Sequence, residues 1–213
     1  MTSTESTSTK SETLFELLCR NYDIVCTSIV CAGKKADYEI AVKGHRIITE
    51  IKQIDPNEAD EATLNKGRLR GSAAAWGNSE HRIRLKIQEA RKQLKARSHE
   101  ILPTLLIVYD NGTFAGTDAT DMKTAIFGEE KVVVSHLNHE VASVSPIHAG
   151  GKRRFTPDSN TSISAIGLMY NEQPRLSIFH NHFATNPIDP EWLRFDGIRH
   201  YALNSQNYEW IER

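Results

Sequence analysis

Residues 46–53, RIITEIKQ, carry two opposite charges in an Ile-rich run, Glu50 and Lys52. In an extended strand alternate side chains share a face, so these two project together while Ile51 turns to the other side. A carboxylate and an ammonium placed side by side on an apolar strand either pair with each other or hold a third group between them. Just upstream, DYEIAVKG adds a second carboxylate, Asp37. Lys43-Gly44 reads as a tight turn between the two runs, and such a hairpin brings Asp37 back toward Glu50. Mg²⁺ takes oxygen ligands, keeps several waters and is commonly held by one or two carboxylates plus substrate phosphate. In such a site Lys52 would steady an attacking water or meet the charge that develops on a phosphoryl group.

The tripeptide alone decides little. Glu-x-Lys arises about once by chance in a chain of this length. An exposed cross-strand pair contributes well under about 1 kcal/mol. Meaning has to come from the elements that position the charges. SETLFELLCRNY has helical spacing, with Leu14, Leu17 and Leu18 on one stripe, Ser11 as N-cap and Glu16 carried along. DIVCTSIV and the two runs around Lys43-Gly44 read as strands. Residues 55–80, with Pro56 and mixed charge, read as a long loop containing a helical piece, and such loops are often functional. HRIRLKIQEARKQLKARS is a helix, with Ile83, Ile87, Ala90 and Leu94 on one face. LPTLLIVYDNG is a buried central strand, ended by Asp110-Asn111-Gly112. KVVVSHL and SISAIGLMY read as further strands, the latter pairing with RLSIFHNHFA, and EWLRF as a turn or two of helix. These elements predict a single α/β domain over 12–213, with a core at about 12–110 and a β-rich C-terminal extension at about 111–213. A Ser/Thr-rich tail, 1–11, precedes it.

The combination of Asp37, Glu50 and Lys52 resembles the motif of the PD-(D/E)xK nuclease superfamily, with Glu16 matching the acid often found on that family's first helix. The order helix, strand hairpin with the motif, helix, buried strand is similar to the family's αβββαβ core, over roughly residues 12–110. The resemblance implies a restriction-endonuclease-like fold with a mixed sheet. It also implies a Mg²⁺- or Mn²⁺-dependent endonuclease acting on DNA, or less often RNA. Asp37, Glu50 and the Ile51 carbonyl would hold the metal, Lys52 would serve the nucleophilic water, and Glu16 would assist. A homodimer is a common arrangement for such enzymes. Ala36 stands where the motif name has proline. Gln53 and Gln93 resemble glutamines that some branches place near the site, but no Q-x-x-x-Y follows either, so no branch is assigned. A non-catalytic nucleic-acid- or protein-binding module on the same fold is the alternative from another class.

Candidate nucleic-acid contacts are Arg84, Arg91, Lys92 and Lys95 on the basic helix face, with Arg68, Arg70 and the cluster GGKRRF (150–155) as further cations. The net charge of −1 adds no global basic signature. FHNHF, residues 179–183, imitates the name of the HNH nucleases but lacks a following helix with a third ligand. Its histidines, His180 and His182, are better read as polar strand or partner-facing residues. Trp76, Trp192 and Trp210 read as packing anchors. Cys19, Cys26 and Cys31 fit neither a zinc spacing nor a disulfide framework and read as reduced thiols. With no apolar run of bilayer length and no secretory pattern, the expectation is a cytoplasmic protein without membrane partners.

Overall fold

Lys43 and Gly44 both have positive φ, 48° and 82°, the backbone of a two-residue hairpin turn whose twist matches its flanking strands. The computed structural model describes residues 9–29, 37–72, 79–98, 101–112, 116–137, 139–146, 148–170, 175–204 and 210–212. In chain order it contains α1 (Lys10–Asn21), β1 (Val25–Ser28), β2 (Tyr38–Val42), β3 (His45–Ile54), α2 (Glu58–Arg70), α3 (Ser79–Ser98), β4 (Thr104–Asp110) and α4 (Ala119–Phe127). Then follow β5 (Glu130–Lys131), β6 (Val134–Leu137), β7 (Glu140–Val144), β8 (His148–Ala149), β9 (Ala165–Met169), β10 (Leu176–His180), a 3₁₀ turn (Pro190–Leu193), β11 (Ile198–Leu203) and β12 (Trp210–Glu212).

Eight strands form one mixed sheet in the order β1-β2-β3-β4-β9-β10-β11-β12. β1, β2 and β3 run antiparallel, β4 and β9 run parallel to β3, and β10 returns antiparallel to β9. Residues 104–109, Thr104 and the apolar run behind it, are buried throughout because β4 lies mid-sheet, covered on both faces. One core layer packs Phe15, Leu18 and Cys19 of α1 on Ile47, Ile51 and Ile107. The other packs Ile83, Ile87, Ala90 and Leu94 of α3 on Ile48, Ile54, Leu106 and Val108. Odd-numbered residues of β3 therefore face α1, and even-numbered ones face α3.

Several expectations are refined. α1 starts at Lys10, capped by Thr9 and Glu12 in a reciprocal capping box, rather than at Ser11. Ser11 is instead buried, and the buried stripe is Ser11, Phe15, Leu18 and Cys19, leaving Leu17 outside it. The expected loop at 55–80 contains a complete helix, α2, with an Asn57 cap and a left-handed Gly71. KVVVSHL divides into β5 and β6, which join small two-stranded ribbons outside the main sheet. Cys19 and Cys26 are free thiols, while Cys31 and Trp76 lie outside the described residues. Trp192 packs as expected, its ring stacked 3.9 Å from that of His45. Among the described residues no helix is long and apolar enough to cross a membrane.

Gly128 closes α4 at φ 82°, and a Cβ there would stand 2.5 Å from the Gly151 carbonyl oxygen. Gly128→Ala is expected to lower the unfolding free energy by roughly 2–4 kcal/mol, since strained φ and a backbone clash combine. Gly44 has a similar φ but open space around its Cβ position. Gly44→Ala should cost only about 1 kcal/mol. Denaturant midpoints of the two variants separate the effects.

Candidate active site

Tyr38 pairs with Thr49, and one further step of that register sets Asp37 opposite Glu50. Residues directly opposite in an antiparallel pair share a face, so the hairpin carries both acids to one side. Asp37 Oδ2 accepts a hydrogen bond from the Ile51 backbone N–H at 2.8 Å. The Ile51 carbonyl is directed to the same edge, because a strand residue's N–H and C=O point the same way. On the face toward α3, the Lys52 ammonium donates to Glu50 Oε1. The Glu50 side chain is 0% exposed, and that of Lys52 is 19% exposed. Lys52 is thus the member of the pair that reaches water.

Burial pushes the Glu50 carboxyl up to about 7. The Lys52 hydrogen bond opposes that rise, while the Asp37 carboxylate reinforces it. Asp37 is also raised, first by burial, with the Ile51 N–H and the Lys52 charge pulling it down and Glu12 pushing it up. The second Glu50 oxygen, Oε2, is buried without a hydrogen-bond partner among the described residues. Buried polar atoms are rarely left so, and an oxygen in this state is ready to accept a water or a cation. Glu39, the neighbouring acid on the same strand face as Asp37, is held by a two-pronged ion pair with Arg46 at 2.7 and 2.8 Å.

Other candidates fall elsewhere. Glu16 lies on the α1 side and accepts from the Tyr38 hydroxyl at 2.8 Å. Burial and this acid together push the Tyr38 phenol up. Glu12 exerts its electrostatic effect on Asp37 while its carboxylate caps α1. The Thr9-x-x-Glu12 spacing is a capping signal visible in the sequence. Gln53 also faces α1: its Oε1 accepts from the Ser11 N–H at 3.2 Å and its Nε2 donates to Asp55 at 2.6 Å. Gln53 thereby pins the first turn of α1 to β3 on the face opposite Glu50 and Lys52.

The basic helix face is not one surface. Arg84 is only 4% exposed, and its Nη2 donates to the Thr124 carbonyl of α4 at 3.1 Å. Its guanidinium joins α3 to α4 and faces away from solvent. Arg84→Ala is expected to cost roughly 1–3 kcal/mol of stability, read by chemical denaturation, through the lost charged hydrogen bond. Arg91, Lys92 and Lys95 are exposed. Gln93 is half-buried, roughly half a helical turn around from Arg84 and so on the flank turned away from α4. In GGKRRF, Phe155 is fully buried and Arg153 donates to the Phe127 carbonyl at 3.3 Å, so this segment packs against the end of α4. In FHNHF, the buried Asn181 ties two loops together, His180 bonds to the buried His200 at 2.9 Å, and His182 stacks against Phe127.

Among the described residues no group of three or more His, Cys, Asp and Glu side chains is gathered to hold a metal ion. What Asp37 and Glu50 offer is two carboxylates, one with an unpartnered oxygen, beside the carbonyl of Ile51. That donor set fits the habits of Mg²⁺, which leaves most of its positions to water and phosphate. Compared with protein-family models, with curated proteins and with solved structures, the chain finds no match in any of the three.

Proposed function

We propose that the protein is a metal-dependent nuclease hydrolysing phosphodiester bonds, of DNA in the first place and RNA in the second. The observation that carries the reading is the hairpin that sets Asp37 opposite a buried Glu50, whose Oε2 lacks a partner and whose Oε1 is held by Lys52. The order α1-β1-β2-β3-α2-α3-β4, with an antiparallel β1–β3 and β4 parallel to β3, supports a restriction-endonuclease-like core.

Asp37 and Glu50, with the Ile51 carbonyl, would hold Mg²⁺ or Mn²⁺. When bound, such an ion supplies charge to the phosphoryl oxygens and makes a water more acidic. Glu50 must give up its proton before it can act as a ligand, and its raised pKa places that event near neutral pH. Lys52, freed from Glu50 Oε1, would present its ammonium to the attacking water and to the charge developing on phosphorus. Glu16 would act at one remove, by fixing Tyr38 at the start of β2.

Complete burial of Glu50 favours one second reading, a nucleic-acid- or protein-binding module in which the Glu50–Lys52 pair is purely internal. Incubation with plasmid, single-stranded DNA and RNA, each with Mg²⁺, with Mn²⁺ and with EDTA, separates the two. Cleavage that EDTA abolishes and added metal restores supports the nuclease. Retention of nucleic acid with no cleavage on any substrate supports the binding module.

A further inference from the structure

Between α3 and the loops on either side of the β9–β10 pair lies a polar cleft of about 270 Å³, whose lining includes neither Asp37 nor Glu50. Arg91 and Lys95 form one wall, one helical turn apart on the exposed flank of α3. Like charges at this spacing repel by a few tenths of a kcal/mol, so the pair gains from an anion placed between them. The opposite wall includes Thr161, Ser162 and Thr185, residues that each carry a hydroxyl. Asp158 is the one acid among the described lining residues, against the two cations Arg91 and Lys95.

The walls are held by buried polar bonds that turn the loop carbonyls inward. The Asn160 and Ile163 carbonyls both accept from Asn181 Nδ2, at 3.2 and 2.8 Å. The Thr161 carbonyl accepts from the Thr185 N–H at 2.8 Å, and that of Ser162 from Thr104 Oγ1 at 2.6 Å. Ser164 Oγ donates to the Asn186 carbonyl at 2.5 Å. With these acceptors engaged inside the protein, the described lining is rich in donor-bearing residues: the cations Arg91 and Lys95 and the hydroxyl residues Thr161, Ser162 and Thr185. A rigid, donor-rich, cationic cleft is complementary to a tetrahedral oxyanion.

We propose that this cleft is a phosphate-binding site, gripping a phosphoryl group between Arg91 and Lys95 with Thr161, Ser162 and Thr185 completing the contacts. The site does not depend on hydrolysis at Glu50. The phosphoryl group belongs to a nucleic-acid backbone or to a free phosphate or phosphomonoester, and the same chemistry recognises each.

Titration calorimetry on the full chain tests the site, with inorganic phosphate, a nucleoside monophosphate and a short oligonucleotide without terminal phosphates as separate probes at fixed ionic strength. At least one probe is expected to bind the wild type, and Arg91→Gln or Lys95→Gln to weaken it about tenfold or more, as expected for a lost charge-assisted hydrogen bond. Lys66→Gln, an equal charge change at an exposed position of α2, should leave binding unchanged. Thr161→Val should weaken it without altering net charge. Binding by the oligonucleotide alone identifies a backbone phosphate, and binding by the small probes identifies a free one. Failure of every probe to bind the wild type, or equal weakening by Lys66→Gln and Arg91→Gln, overturns the proposal. Because these readouts are equilibrium binding, they stand apart from any loss or presence of cleavage.

Discussion

Glu50→Gln is expected to stabilise the protein at pH 8 and to leave its stability nearly unchanged at pH 4. The Glu50 carboxyl is raised to about 7 in the folded chain from an ordinary 4.5. Below 4.5 it is neutral in both states and adds no pH-dependent term. Between 4.5 and 7 the unfolded chain releases a proton that the folded chain retains, so stability falls as pH rises. Above 7 both states are ionised, and the folded state bears the full cost of a buried charge, on the order of 3 kcal/mol. Glutamine keeps the shape, stays neutral and can still accept the Lys52 hydrogen bond, so the variant escapes that cost. At about 2–4 °C per kcal/mol for a chain of this size, the difference is readily seen in melting curves. Equal melting of the two proteins at pH 8 would show that the pair with Lys52 fully compensates the burial. A site residue whose removal stabilises the fold is the pattern expected where function rather than stability retains it.

Lys52→Ala is expected to lose the proposed hydrolysis by about 10²–10³-fold, the scale of removing one donor aimed at developing charge. The variant should still fold. Lys52 is partly exposed, and Glu50 left without it takes up a proton instead of standing as an uncompensated buried charge. Unchanged cooperative melting at pH 7 checks this point. The same carboxyl would set a pH dependence for the proposed metal binding. A proton must leave for each ion bound, so affinity for Mn²⁺ should fall about tenfold per pH unit below about 7. In Glu50→Gln that slope should disappear along with most of the affinity.

The parts of the fold legible in the sequence share one property, an apolar pattern with a direct structural consequence. The β2–β3 hairpin followed from Lys43-Gly44 between apolar runs, α3 from Ile83, Ile87, Ala90 and Leu94, and β4 from an unbroken apolar run. α2 left no such trace because none of its described residues is buried, so nothing in its sequence alternates with a core. Its caps, Asn57 with Asp60 and Gly71, were the only local signals. α4 is only nine residues long, too short for its periodicity to stand out.

At the site, the sequence carried the relation of Asp37 to Glu50, because hairpin register is fixed by turn length. It could not carry the sides of the sheet. Glu16 and Gln53 share the region with Glu50 and Lys52, yet they face α1 while the pair faces α3, and that depends on where the helices pack. Arg84 shows the same limit: helical spacing groups it with Arg91 and Lys95, but α4, arriving from 35 positions later, covers it alone.

Asp37, Glu50 and Lys52 are proposed to form one hydrolytic site. The decisive measurement is Mg²⁺- or Mn²⁺-dependent cleavage of plasmid and single-stranded DNA by the wild type, Asp37→Asn and Lys52→Ala, each verified as folded. Cleavage by the wild type that both variants lose is the expected result. Cleavage that either variant retains at the wild-type rate would contradict it.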